Sequence, residues 1–457
     1  MIDVLLSILA FIFALGLLIT FHEFGHYWVA RKCDVKILRF SVGFGKPLWR
    51  RAVGADNTEF VIATLPLGGY VKMLDEREGQ VPEAELPRAF NNKPLPQRFA
   101  IVLAGPLFNF IFAVFAYWLL FMLGVTGLKP VIGEITPDSP AAVAGLRQGD
   151  EIIAVDGVST RTWNSVFNRL IGRAVAGQVV QFELQGTAAA SRTVTLDLGQ
   201  IGVDEMAAAG GGMLGRLGLA PLRPPAPAIV GEVLSDHPAA AAGLQPGDEI
   251  LALNDGRIDD WAEFVAAIQA AAGQSLELTI RRGEAELDLD IVPAGQQQAD
   301  GSVKGFAGVR QSEFQPDPAF LATESYTLFP ALQKSLVRTA EMSVLTLRVL
   351  GQMITGRASV KNISGPIGIA QYAGQTAQLG FVAFLGFLAI ISISLGVLNL
   401  LPVPLLDGGH LCYYLVEAIK GSPVSDGVQA LGQRLGLLAL LGLMSLAIYN
   451  DILRLLE

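Results

Sequence analysis

The chain has 457 residues, of which 51% are hydrophobic and only 16% charged, a balance far from that of an ordinary soluble protein of two or three domains. Its formal net charge of −9 argues against a nucleic-acid partner. Cys33 and Cys412 are the only cysteines, which excludes both a disulfide framework and a zinc site built from thiolates.

The first element is Val4–Phe21, an uncharged run that reads as a membrane span. No basic residue precedes it, and it is long for the apolar part of a signal peptide, so we expect it to be retained. It ends in His22-Glu23-Phe24-Gly25-His26, which has the form H-E-x-x-H. On a helix, residues i and i+4 share a face, so both imidazoles can reach one zinc ion while Glu23 lies close enough to act as a general base. Two interfacial histidines bonded to backbone would be the plain alternative. Ionisable groups at membrane depth are costly, however, and mark functional sites.

Basic residues then accumulate: Arg31, Lys32, Lys36, Arg39, Lys46, Arg50 and Arg51, followed by Lys72, Arg77, Arg88, Lys93 and Arg98. The excess predicts a cytoplasmic loop, with both termini and the long segment after the second span outside. Within this loop, Phe60–Met73 reads as two strands around Leu67-Gly68-Gly69-Tyr70. The second span is predicted over Phe99–Leu128, which carries no charge.

The external segment repeats itself. Val131–Trp163 aligns without a gap on Ile229–Trp261, and fifteen of thirty-three positions are identical, which predicts two tandem copies of one small domain over 128–220 and 222–310. Arg223-Pro224-Pro225-Ala226-Pro227 makes a stiff junction between them. In each copy turn glycines precede an alternating strand, as in Gly149-Asp150-Glu151-Ile152. The pattern Gly-Leu-x-x-Gly-Asp before an apolar strand resembles the PDZ family, which implies small α/β domains that take extended peptides by strand addition. Service as spacers or steric gates remains open. The small-residue stretches at 187–190 and 207–212 read as loops. His237 occupies the place of Ser139 in the other copy and reads as a surface residue.

Within the segment 311–379, Ala331–Gly356 has a helical pattern. Leu336, Ala340, Ser343, Leu347, Leu350 and Ile354 form one stripe, and Lys334, Arg338, Glu341 and Arg348 the opposite one. This suits a helix lying along the membrane interface or one packed on the external domains. A third span is predicted within Gly380–Leu406, and a weaker fourth over Val428–Tyr449, which Arg434 interrupts. The third run ends in Asn399-Leu400-Leu401-Pro402-Val403-Pro404-Leu405-Leu406-Asp407-Gly408-Gly409-His410. Two prolines break the helix, and broken backbone at this depth is tolerated only where it lines protein or a water cavity. Catalytic zinc takes three protein ligands and keeps one position open. Asp407 is the best candidate for the third ligand. His410 reads as an interfacial histidine or a partner of the site.

H-E-x-x-H in a first span and Asn-x-x-Pro-x-Pro-x-Leu-Asp-Gly in a later one resemble the site-2 protease family, and the resemblance covers essentially the whole chain. It implies a polytopic α-helical membrane domain of about four transmembrane helices (1–127 and 380–457) with the two PDZ-like domains inserted. It also implies one zinc ion held by His22, His26 and Asp407, with Glu23 as the catalytic group. Asn399 is implied to hold substrate or transition state, and Asn109, in Gly105-Pro106-Leu107-Phe108-Asn109, to lie near the active site. Gly68, Gly69 and Tyr70 are implied to sit in a β-hairpin that pairs with substrate backbone. The implied activity is zinc-dependent cleavage, in or near the transmembrane segment, of a single-pass membrane protein already trimmed outside. An anti-sigma factor or a remnant signal peptide is the implied substrate, in regulated intramembrane proteolysis of a stress response. The implied place is a bacterial inner membrane in contact with its lipid, the active site opening toward the cytoplasm. Two other readings are a PDZ-type membrane scaffold with an inactive protease core, and a metal transporter with a midplane histidine site. The second leaves Glu23 and the external domains without a role.

Overall fold

A computed structural model describes residues 2–186, 191–199, 212–254, 256–297, 302–314 and 316–456. The small-residue stretches at 187–190 and 207–211 lie outside them. Among the described residues, four helices are long and apolar enough to cross a membrane: α1 (Ile2–Lys32), α2 (Leu95–Leu123), and, later in the chain, Phe381–Leu400 and Asp426–Leu456. Ala14, Leu18, Ala113, Ala116, Leu388 and Ile393 are buried in the core that the first three share. The alanines at three of these places let helix backbones approach closely, where burial from water drives nothing.

The second span is shorter than its uncharged run. Gly124, at φ 90°, ends α2, and Val125–Leu128 leaves as a strand, β3. A positive φ is nearly free for glycine and costly for other residues, so it stops a helix that composition alone would continue.

Between α1 and α2, β1 (Ile37–Val53) and β2 (Thr58–Met73) form an antiparallel pair. Here the expected hairpin is corrected. Phe60–Met73 is one continuous strand, and its turn partner is β1, through the Gly54–Asn57 turn. Phe40, Ser41 and Val42 each have two partners, Val71, Tyr70 and Gly69 on one side and Phe60, Val61 and Ile62 on the other. The ribbon therefore curls back on itself and brings Gly68–Val71 against α1. Arg88 ties the base of this loop to Asp56 with two bonds of 2.8 Å and to Asp34 at 3.1 Å. The Arg88 guanidinium holds the Asp56 carboxyl below the usual carboxylate range.

After β3 come two similar units. In the first, β4 (Ile132–Ile135), β5 (Glu151–Val155), β6 (Val158–Ser159), α3 (Trp163–Val175), β7 (Val179–Gln185), β8 (Ser191–Asp197) and β9 (Leu219–Pro221) surround a core that includes Ile152, Val166, Leu170 and Phe182. In the second, β10 (Val230–Val233), β11 (Glu249–Leu253), β12 (Gly256–Arg257), α4 (Trp261–Ala270), β13 (Leu276–Arg282), β14 (Ala285–Ile291), β15 (Ala294–Gln297), β16 (Val303–Phe306) and β17 (Val309–Gln311) surround Ile250, Phe264, Leu278 and Ile280. The four-stranded sheets run β6-β5-β7-β8 and β12-β11-β13-β14. The repeated aspartate has the same task in both. Asp150, buried, accepts from the Arg147 amide at 2.9 Å and from Arg192, while Asp248 accepts from the Gln245 amide at 2.8 Å and from Arg282 at 2.7 Å. A buried carboxylate closing the glycine turn explains why Gly-Asp recurs.

The chain returns through β18 (Leu321–Glu324), which pairs with β3 into a two-stranded stem. The next helix, α5 (Leu328–Ile354), packs along α2 with Ala331, Ser335 and Thr339 buried. It also meets the first unit through Arg169–Glu341 at 3.3 Å and Arg338–Asn168 at 2.7 Å. Then follow α6 (Pro366–Gln378), α7 (Phe381–Leu400), α8 (Asp407–Lys420) and α9 (Asp426–Leu456). Pro402 and Pro404 lie in the break between α7 and α8.

Asp451 of α9, 2% exposed, caps α6 by accepting from the amides of Gly365, Ile367 and Gly368 at 2.9–3.0 Å. Replacing it with alanine strands three N–H groups, at a cost of about 2–4 kcal/mol. We expect Asp451→Ala to lower the thermal midpoint of the detergent-solubilised protein and Asp451→Asn to lower it less. Equal midpoints for Asp451→Ala and wild type would remove this cap from the stability of the fold.

Candidate active site

His22, Glu23 and His26 share a stretch of α1, and Asp407 is the first residue of α8. The helix break delivers the carboxylate. Gly408 and Gly409 lie against the backbone of Leu400–Leu401 and Val403–Pro404, where a Cβ would collide with carbonyl groups. Leu405 has φ 93°; the other non-glycine residues with positive φ among those described are all Asp or Asn. A bulky side chain in that region costs on the order of 1–3 kcal/mol, strain of a kind that clusters at functional sites.

Three donor atoms converge. His22 Nε2 and His26 Nε2 are 3.3 Å apart, and Asp407 Oδ2 is 3.1 Å from the first and 3.5 Å from the second. Ligands at 2.0–2.1 Å from a tetrahedral ion stand roughly 3.3–3.4 Å from one another, so this triangle has the size zinc needs. Asp407 Oδ2 is buried and has no hydrogen-bond partner in this arrangement, as suits an atom meant for a cation. The donor set of two imidazoles and one carboxylate is one that zinc accepts. Glu23 stands next to the triangle, with His26, His22 and Asp407 as its titratable neighbours and the Val71 amide of β2 beside it.

Helix α2 forms the back wall. A Cβ on Gly105 would overlap the His26 ring at Nε2 and lie 2.8 Å from His22 Cε1, and one on Gly25 would overlap the Ala104 carbonyl. One turn to either side, Ile101 O lies 2.8 Å from His26 Nδ1 and Asn109 Nδ2 lies 3.1 Å from His22 Nδ1. Asn109 is fully buried, and Ser392 of α7 donates to its backbone carbonyl at 2.8 Å. At the start of α2, Arg98 binds Glu417 of α8 with bonds of 2.6 and 3.3 Å.

The sequence-predicted residues divide accordingly. His22, His26, Asp407, Glu23 and Asn109 come together. Gly69 of β2 packs on Ile19 and on Glu23, whose Cγ would be 3.1 Å from a Cβ placed there. Gly68 has φ 144°, and Tyr70 accepts from Arg39 at 3.2 Å and stacks on Phe44, so these two line the ribbon beside the site rather than the triangle itself. Asn399 is half-buried near the end of α7 and makes no side-chain hydrogen bond among the described residues. His410 points to Tyr413, with ring centres 6.3 Å apart, and is not part of the triangle. His237 is half-buried against Phe306 rather than free on the surface. Sequence reasoning missed the part Gly105 plays behind the imidazoles, the Ile101 carbonyl, Ser392 and the Arg98–Glu417 pair. The glycine-proline pair at Gly105-Pro106 inside a span was the one available signal.

The model of peptidase family M50 matches residues 10–443. The chain belongs to this family, the site-2 proteases, and is a metalloprotease. Relatives alike along their whole length are the regulator of sigma-E protease RseP of Escherichia coli K12, 43% identical over 456 residues, and the regulator of sigma E protease of Salmonella typhimurium LT2, 43% identical over 455; both alignments cover 100% of each chain. A Vibrio cholerae protein named as a zinc metalloprotease is 42% identical over 456 residues, again covering 100% of both chains. A solved PDZ domain from an SdrC-like protein of Listeria monocytogenes matches 18% of this chain and 84% of its own at 22% identity, with a TM-score of 0.16.

Gly105→Ala is expected to push the imidazoles off the triangle, so that the purified variant retains its fold but carries well under half the zinc of wild type. Full zinc content in that variant would mean that the wall behind the histidines has slack.

Proposed function

We propose that this chain is a zinc-dependent intramembrane endopeptidase that cleaves pre-trimmed single-pass membrane proteins in or near their transmembrane segment. The observation that carries the proposal is the triangle of His22, His26 and Asp407 donor atoms, 3.1–3.5 Å on edge, with Glu23 beside it on a helix long enough to span. These three residues hold one zinc ion, which when bound supplies Lewis-acid chemistry at a carbonyl and at water.

Glu23 is the general base. It takes the proton from the attacking water and returns it to the amine nitrogen as the peptide bond breaks. Position favours this role, since Glu23 follows the first ligand directly and faces both histidines. A peptide bond inside a helix is shielded, so the substrate segment has to be unwound. The ribbon segment Gly68-Gly69-Tyr70, packed on Glu23, holds the unwound backbone extended by strand pairing. Asn399, with no side-chain bond of its own among the described residues, takes a polar group of the substrate near the metal.

The basic loop between the first two spans supports an orientation with the ribbon and the site on the cytoplasmic side of a bacterial inner membrane and the termini and the two PDZ-like units in the periplasm. The similarity to regulators of sigma-E proteases supports an anti-sigma factor as substrate, with remnant signal peptides as another, in regulated intramembrane proteolysis during stress. The two units act as a size gate, keeping untrimmed substrates with bulky outer domains from the site.

The test is cleavage of a membrane-embedded single-pass substrate by wild type and by Glu23→Gln, with zinc measured in both. Wild type is expected to cleave, and the variant to lose at least about 1,000-fold of that rate while keeping about one zinc per chain. Zinc loss in Glu23→Gln would recast Glu23 as a ligand, and residual activity near wild type would reject it as the base. The gate has its own test. The Lys129 amide lies 2.8 Å from the Phe320 carbonyl, so residues 130–319 can be replaced by a short glycine turn with the stem intact. That deletion should admit untrimmed substrate, and unchanged discrimination would dismiss the gate.

A further inference from the structure

The side-chain amide of Asn109 presents a contradiction in its hydrogen bonding. Its Nδ2 faces His22 Nδ1 at 3.1 Å, while its Oδ1 is buried without a partner. An unpaired carbonyl oxygen in a membrane core is expensive, and no water competes to satisfy it. His22 has the complementary problem. Its Nε2 is a corner of the ligand triangle and needs a free lone pair there, so in a neutral imidazole the proton sits on Nδ1. A protonated Nδ1 requires an acceptor, and Nδ2 cannot be one.

His26 shows how the site solves this elsewhere. Its Nδ1 lies 2.8 Å from the Ile101 carbonyl, which can only accept, so His26 carries its proton on Nδ1 and offers Nε2 to the triangle. Ile101 and Asn109 are two turns apart on α2, on either side of Gly105. Exchanging the oxygen and nitrogen of the Asn109 amide, which leaves the shape of the side chain unchanged, gives Oδ1 a donor and His22 Nδ1 an acceptor, and moves the NH2 group to the position Oδ1 now holds.

We infer that Asn109 is a positioning residue for the metal: its Oδ1 accepts the Nδ1 proton of His22 and so keeps the Nε2 lone pair on the ligand triangle. Helix α2 then sets the tautomer of both histidines, through a backbone carbonyl for one and a side-chain carbonyl for the other. Partners that orient ligating histidines in this way contribute about 10–100-fold in metal affinity. This assigns Asn109 a part distinct from substrate contact, and it rests on the zinc reading above.

The experiment measures zinc affinity of the full-length protein, stripped of metal, by competition with a chromogenic chelator, for wild type, Asn109→Asp and Asn109→Leu. Thermal midpoints of the metal-free proteins report folding. Asn109→Asp keeps an acceptor and loses the donor, so it should bind zinc within about threefold of wild type. Asn109→Leu, of similar size with neither group, should bind about 10–100-fold more weakly. Equal weakening in the two variants, or none in Asn109→Leu, overturns the inference. A second measurement needs no variant. In zinc-loaded wild type labelled at its histidine ring nitrogens, Nδ1 of His22 should be protonated, and an unprotonated Nδ1 overturns the assignment even if Asn109→Leu fails to fold. Wild type that binds no zinc at all would take down the metal reading itself, whereas zinc-bound wild type with equal affinities takes down only the role of Asn109.

Discussion

Three lone-pair atoms from opposite ends of the chain are held 3.1–3.5 Å apart in a largely buried place, and everything around them serves to keep them there. Such atoms repel one another unless a cation or protons lie between them, and the repulsion grows as water is excluded. Without a metal, the arrangement is therefore held together by its surroundings. Gly25 and Gly105 let α1 and α2 touch, so the imidazoles are trapped against a helix wall. Gly408 and Gly409 seat the start of α8 on the loop before it, and the left-handed Leu405 turns the chain so that Asp407 points inward. The Arg98–Glu417 pair, with both side chains less than one-fifth exposed, fastens α8 to α2 one helix length away from the strained turn.

The same low-dielectric setting explains the polar residues elsewhere in the spans. Asn450 donates to the Val360 carbonyl at 2.8 Å, Asp451 takes three amides at the start of α6, and Ser392 donates to the Asn109 carbonyl at 2.8 Å. A polar group in this environment is tolerated only with its partner in place. These contacts therefore act as fixed joints between α9 and the segment before α6, and between α7 and α2. They are specific in a way that apolar packing among lipid-like side chains is not.

How much of this was legible in the sequence depended on how local each feature is. The pair His22 and His26 was readable because helical geometry alone puts i and i+4 on one face. Asp407 stood out as a carboxylate after two prolines in an uncharged run. The repeat was visible because the copies keep one offset from β4 and β10 through Trp163 and Trp261, before their later strands diverge in spacing. What stayed hidden was set by contacts across the chain. Nothing near Gly68 says that Phe60–Met73 is one strand curled around Phe40–Val42, because the pairing that decides it comes from β1. The end of α2 at Gly124 depended on a strand partner about two hundred residues later, at Leu321–Glu324. The role of Gly105 lies in the space it leaves free, which becomes visible only once α1 is beside it.

Helix α2 emerges as the common member of the whole assembly. It supplies the wall and the nearest polar partners for both histidines, meets α7 through Asn109 and Ser392, and holds α8 through Arg98. Its other end runs into β3, whose pairing with β18 makes the stem of the two inserted units, and α5 returns from that stem to pack on α2 again. The buried Glu324, bonded to Tyr326 and Lys334, closes this junction where β18 gives way to α5. Both ends of the inserted segment are thus fastened to the helix that backs the triangle. From the stem of the inserted units, α2 runs without a loop from Leu123 back to Asn109 beside the triangle.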